Sequence, residues 1–172
     1  DVYLLPFLKP AMVRHVWPDE PVESYNDAPA CVLRHCPLDP AHRSVLVAHQ
    51  SAAGAACCES EEVSVGGVDS VDASLFDAFD YVALGHLHSP QKVGRDAVRY
   101  CGTPLKYSFS EAGQHKSATF VEFGLKGDVS ITTAPLTPKH DLREVRGSYM
   151  ELTDRRNYDG TAVDDYLHIT LT

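Results

Sequence analysis

Two short apolar runs interrupt an otherwise mixed chain, and both stop at histidine. Tyr81-Val82-Ala83-Leu84 carries no charge, follows Asp80 and is closed by Gly85-His86-Leu87-His88. Val45-Leu46-Val47-Ala48 ends at His49. Uncharged runs of this kind read as strands buried on both faces of a parallel sheet. In open α/β sheets, ligand sites gather at the carboxyl ends of such strands. Gly85 supplies the freedom for the backbone to turn there. The pattern predicts an α/β fold with one shared site holding His49, His86 and His88. Taken alone, His49 reads most simply as a satisfied polar residue. His86 and His88, two positions apart, would project to one side of an extended segment and reach one ion or two adjacent ions. Neutral imidazole is a standard ligand for zinc, iron, nickel and manganese-type centres.

The rest of the pattern places further elements around these runs. Val2–Leu8 reads as a buried strand, and Lys9-Pro10 with Trp17–Pro21 as a loop. Residues 24–36 carry a helical pattern with Tyr25, Ala28, Val32 and Cys36 on one face and Asn26 or Asp27 as cap; Pro29 fits only near its start. Residues 50–67 show no period. Val71–Phe76 reads as a short helix and Val98–Cys101 as a strand closed by the Gly102-Thr103-Pro104 turn. Ala118–Phe123 and Val129–Thr133 alternate and are joined by Gly124–Asp128, the pattern of a hairpin. Pro135 and Pro138 bracket a linker. The expected division is therefore 1–136 and 137–172, the second piece resembling the start of another module with Leu142–Leu152 and a strand at Tyr166–Leu171. Asp72 and Asp80 precede apolar elements, where capping or surface roles are expected.

Composition narrows the classes. At 44% apolar and 23% charged residues the chain is globular in type. Its formal charge of −9 excludes a chain that is basic overall. Residues 59–80 hold acidic side chains and no lysine or arginine, whereas 91–107 carry Lys92, Arg95, Arg99 and Lys106 against Asp96 alone. That small positive patch could face a polyanion or simply be solvated. Cysteines 31, 36, 57, 58 and 101 have no regular spacing, which argues against a disulfide framework and for a reducing compartment. A zinc module built from Cys31, His35, Cys36, Cys57 and Cys58 is the minor alternative. No run approaches the roughly 18 apolar residues needed to span a membrane, so a cytoplasmic location with no membrane partner is expected. Because Asp1 and Thr172 fall directly in expected strands, the chain reads as a fragment. An exposed sheet edge would favour a homodimer.

Five stretches together resemble a known family: Val47-Ala48-His49-Gln50, Ser64–Gly67, Val71–Ser74, Phe79–His88 and Tyr100–Glu111. They are similar to the SbcD family, nuclease subunits of bacterial SbcCD complexes, within the calcineurin-like metallophosphoesterases. The opening Leu4–Pro10 and Pro135–Pro138 share the likeness, so it extends over essentially the whole chain. The histidine motif points to the superfamily, and Tyr100–Glu111 to the nuclease family. The resemblance implies the C-terminal half of a calcineurin-like β-sandwich with flanking helices (1–136) and a truncated start of the capping domain (137–172). It implies a manganese-dependent DNA exonuclease and endonuclease acting on DNA ends and hairpins in repair, recombination and replication, with an SbcC-type coiled-coil ATPase as partner. His49, His86 and His88 match metal ligands of the family. The aspartates, the asparagine and the general-acid histidine come from its Asp-x-His, Gly-Asp and Gly-Asn-His-Asp motifs, which are expected before Asp1, so no catalytic residue is expected within these residues. Two divalent ions, Mn²⁺ in type, would occupy the intact site and at most one the fragment, which is expected to be inactive. Arg99 and Lys106 are candidate phosphate contacts, which need only charge and reach; a plain surface role is the simpler alternative. Two other readings share the histidines: a phosphoesterase acting on a small phosphoester, and a non-catalytic scaffold piece.

Overall fold

The computed structural model describes residues 1–57 and 70–172. Cys58, Asp69 and the Ser64–Gly67 stretch of the family likeness lie outside the described residues. Along the chain run β1 (Val2–Leu5), α1 (Pro10–Val16), α2 (Asp27–Arg34), β2 (Val45–His49) and the two-residue strands β3 (Ser51–Ala52) and β4 (Ser70–Val71). Next come β5 (Tyr81–Gly85), β6 (Gln91–Val93), β7 (Arg95–Tyr100), β8 (Ser117–Phe123) and β9 (Val129–Pro135). The last elements are β10 (Leu142–Gly147), α3 (Tyr149–Thr153), α4 (Arg155–Tyr158) and β11 (Tyr166–Leu171). The architecture is mixed α/β.

One five-stranded sheet in the order β1-β2-β5-β7-β6 organises the fold. Its first four strands are parallel, and β6 closes the far edge antiparallel to β7. Register pairs Leu46 with Val82 and Ala48 with Leu84, and Val82 in turn with Val98, so these residues share a face. That face, with Leu5, Tyr100 and the helix residues Val13, Ala28 and Cys31, is the buried core. The opposite face differs. Tyr81 is covered there by the Phe123 ring, 6.3 Å away, but Val2, Leu4 and Val47 stay open, Leu4 at 76% exposure. The expectation of strands buried on both faces therefore holds for much of β5 and fails for β2, and β1, expected as a buried strand, keeps one face open. An apolar run cannot distinguish a strand with two covered faces from one whose outer face has no covering element.

The segment between β1 and β2 also departs from expectation. Val2–Leu8 is a strand only to Leu5, and residues 10–16, expected as loop, form α1. Pro10 sits at its first position, where a fixed φ and a missing N–H suit helix initiation. The helix of residues 24–36 narrows to α2. Neither Asn26 nor Asp27 caps it from the expected position: the Asp27 carboxylate accepts from the backbone N–H of Ser24 (2.8 Å) and Glu23 (3.1 Å), while Ser24 Oγ accepts from Asp27 N–H. Asn26 instead accepts from Asp72 N–H at 2.7 Å. Pro29, third in the helix, is accommodated as expected.

The short helix at 71–76 is a 3₁₀ turn, Ala73–Phe76, whose cap is Asp72 accepting from Ser74 N–H at 2.9 Å. The hairpin β8–β9 forms in full register from Ser117↔Pro135 to Phe123↔Val129. Beyond it, β10 and β11 pair in parallel, connected by α3 and α4. Ser148 and Glu151 form a capping box at the start of α3.

Asp80 ties the start of β5 to the residue before β2 and to the β8–β9 turn. Its carboxylate accepts from Ser44 N–H at 2.7 Å and from Lys126 Nζ in the hairpin turn at 2.7 Å. Burial alone would push this carboxyl up, but the Lys126 and Ser44 hydrogen bonds and the lysine charge outweigh it and hold the group below its ordinary value. A depressed native value gives stabilisation that is complete above the unfolded-state value, near 3.8, and is lost as pH falls through the native one. Lys126→Met is therefore expected to lower the urea midpoint at neutral pH. The difference from the parent should shrink once the medium is acidic enough to protonate Asp80.

Candidate metal centre

His49 and Gly85 are register partners at the ends of β2 and β5, so the chain leaves both strands at one place. The His49 and His86 rings lie 5.3 Å apart between centroids at 84°. Phe7, just past β1, stacks on His86 at 6.1 Å and meets the His49 ring edge-on at 6.5 Å. Two expected ligands are thus brought together beside an aromatic wall.

Gly85 serves this pair differently from expectation. The positive φ belongs to His86, at 105°, a value that side-chain-bearing residues rarely adopt. At Gly85 the constraint is space: a Cβ there would lie 3.0 Å from His49 Nδ1. Gly85→Ala is expected to fold and to turn the His49 ring away, which a shift of its imidazole resonances by NMR would register.

His88 belongs to a second arrangement. The backbone leaves extended geometry at His86, so the two-residue spacing by itself does not fix how the two rings stand to one another. Nδ1 of His88 lies 3.0 Å from Oε1 of Glu111, a fully buried carboxylate whose Oε2 is 2.7 Å from Lys116 Nζ. Gly102, at φ 75°, passes so close to this turn that a Cβ would come within 2.6 Å of the His88 carbonyl oxygen. Behind His49, the main chain is pinned by Tyr100. Its hydroxyl donates to the Gln50 carbonyl (2.7 Å) and accepts from Ala52 N–H (2.8 Å), while Gln50 Nε2 reaches the Pro6 carbonyl at 2.8 Å.

Among the described residues, ligand atoms of three His, Cys, Asp or Glu side chains come within 4.8 Å of one another only at Glu20, Cys31 and His35. Among the described residues, His49 and His86 form a ring pair, His88 is held by Glu111, and no cluster of three ligand atoms includes these histidines. The one Gly-Asp dipeptide of the sequence, Gly127-Asp128, sits in the β8–β9 turn instead. These donors fit the imidazole side of a centre whose oxygen side is not among them. The Glu20 group is already committed: its carboxylate binds Arg34 at 2.8 Å and His35 at 3.1 Å, and these hydrogen bonds lower it. Trp17 stacks on His35 at 4.8 Å. Burial raises the Cys31 thiol and keeps it protonated. The cluster holds Cys31 and His35 of the minor cysteine alternative but, among the described residues, draws on neither Cys36 nor Cys57.

The two candidate phosphate contacts separate. Lys106 Nζ donates to the Ala112 carbonyl at 2.7 Å and pairs with Asp141 at 2.9 Å, its side chain 9% exposed. It fastens the 104–116 segment to the start of β10. Arg99 lies half-buried on β7, opposite Ala83 and Lys92 in register. A cleft of about 720 Å³ opens beside Lys106, between His115, Lys116 and Arg143, away from His49 and His86. No family model matches the chain. Among the described residues, no helix is long and apolar enough to cross a membrane.

Sequence reasoning missed Glu111, Lys116, Tyr100 and Gln50. Glu111 and Lys116 carry no periodic signal, because one ends a 3₁₀ turn and the other precedes β8. The available hint was the stretches of the family likeness: Tyr100–Glu111 holds two of the four and Val47–Gln50 a third.

Proposed function

We propose that the chain carries the imidazole side of a two-ion phosphodiesterase centre, as an SbcD-type nuclease of the calcineurin-like class. The observation carrying the reading is the His49–His86 pair at adjoining strand ends, with His86 held at a φ of 105°. Backbone in such a region persists where the surroundings enforce it, and these positions cluster at functional sites. The sequence likeness of Phe79–His88 and Tyr100–Glu111 adds the family.

On this reading His49, His86 and His88 hold divalent ions, manganese in the cell, through neutral ring nitrogens. Ions in such a centre supply an activated water and charge stabilisation at phosphorus. The chain's own residues do the rest. Phe7 shields one face of the His86 ring, Gly85 leaves room for His49, and Tyr100 fixes the backbone that follows it. The oxygen ligands and the general acid come from outside these 172 residues. Residues 1–136 then belong to the nuclease domain, in a calcineurin-like sandwich, and 137–172 begin the capping domain. DNA ends and hairpins are the substrates, a coiled-coil ATPase of the SbcC type is the partner, and the compartment is the cytoplasm.

The test compares the 172-residue chain with a protein that also carries the aspartate and Gly-Asn-His-Asp motifs. The longer protein should cleave hairpin DNA with Mn²⁺, faster than it hydrolyses a simple aryl phosphodiester. Alanine at His49, His86 or His88 should abolish that cleavage, and the 172-residue chain should leave the hairpin intact. Chelator-sensitive degradation by the short chain, or full activity in the alanine variants, would refute the assignment. A preference for the aryl diester would favour the small-phosphoester reading.

A further inference from the structure

The most deeply buried ion pair among the described residues, Lys116–Glu111, faces His88. Glu111 is 0% and the Lys116 side chain 2% exposed. Besides the carboxylate, Lys116 Nζ donates to the His88 carbonyl at 2.9 Å, to Thr103 Oγ1 at 2.9 Å and to Gln114 Oε1 at 2.7 Å. The same ammonium therefore holds the main chain of His88 and neutralises the carboxylate that holds its ring. An ionised carboxylate only accepts, so the neutral His88 imidazole must carry its proton on Nδ1. Nε2 is then the unprotonated nitrogen of the ring. The Tyr107 ring meets His88 edge-on, 5.6 Å away at 70°.

We infer that Glu111 is a positioning residue, braced by Lys116, which fixes the tautomer and orientation of His88 so that Nε2 is presented as a metal ligand. The inference rests on the metal-centre reading above for its purpose, while the tautomer itself does not. Partners of this kind orient ligating histidines and raise their basicity, and their loss weakens metal affinity by about 10–100-fold. Exposed His168, paired to Glu144 at 3.1 Å, offers the same contact without the burial.

Long-range nitrogen–proton spectra of the isotopically labelled chain, at a pH where imidazoles are neutral, should show His88 protonated at Nδ1. Added Zn²⁺ should then shift His88 Nε2. Glu111→Gln should erode the tautomer preference and weaken Zn²⁺ binding by about 10–100-fold, whereas Glu144→Gln should change neither. An Nε2-protonated His88 in the parent chain overturns the inference, and this result requires no variant to fold. So does a Glu111→Gln protein with unchanged tautomer and affinity. If the tautomer depends on Glu111 but Zn²⁺ leaves Nε2 unmoved, the metal-centre reading fails while control of the ring by Glu111 stands.

Discussion

Alanine at position 111 is expected to destabilise the protein by about 3–5 kcal/mol, the usual penalty for stripping one partner from a buried ion pair. Glu111 is completely enclosed, and its removal leaves the Lys116 ammonium, 2% exposed, with neutral acceptors only. Urea denaturation followed by far-UV circular dichroism measures the change. Replacing both partners together, as Glu111→Leu with Lys116→Met, should restore much of the loss, because no uncompensated charge remains. A single variant as stable as the parent would mean that the ammonium finds water in solution and that the enclosed network is not maintained.

The second large effect is expected at Tyr100, also completely buried. Phenylalanine there keeps the ring and removes the hydroxyl that bridges the Gln50 carbonyl and the Ala52 N–H. Each buried backbone group left without a partner costs about 1–3 kcal/mol. The damage should be local as well as global. Amide exchange at Ala52 should accelerate more than at Val82 or Val98 in the neighbouring strands, and His49, directly before Gln50, should lose its fixed position. Equal acceleration across the sheet would show that Tyr100 acts through general packing rather than by pinning this segment.

The strands were legible because their signal is compositional. Val45–Ala48 and Tyr81–Leu84 lie within β2 and β5, and the alternating 118–133 segment forms the β8–β9 hairpin. Asp72 capping was legible for the same reason: a short acidic side chain before an apolar turn has few other uses. What failed depended on context that no local pattern carries. The open outer face of β1 and β2 is a property of what lies across from it, not of Val2 or Leu4. Helix α1 has seven residues, too few for a period to stand out, and its proline looked like a breaker when it was an initiator. In the candidate site, the three histidines were visible as residues but not as an arrangement. Extended geometry across Gly85–His88 predicted matched side chains, and the positive φ at His86 breaks that geometry. Glu111 and Lys116 come to His88 from 23 and 28 positions away, joined only by the tertiary fold.

The backbone at His86 has a consequence for how this protein can be improved. A non-glycine residue in such a region carries strain of roughly 1–3 kcal/mol, and glycine would relieve it. His86→Gly should therefore raise the thermal midpoint while deleting the ring that stands beside His49. A search for sturdier variants, screened by heat resistance alone, would be drawn toward this substitution and would discard the ring on which the proposed ion site depends.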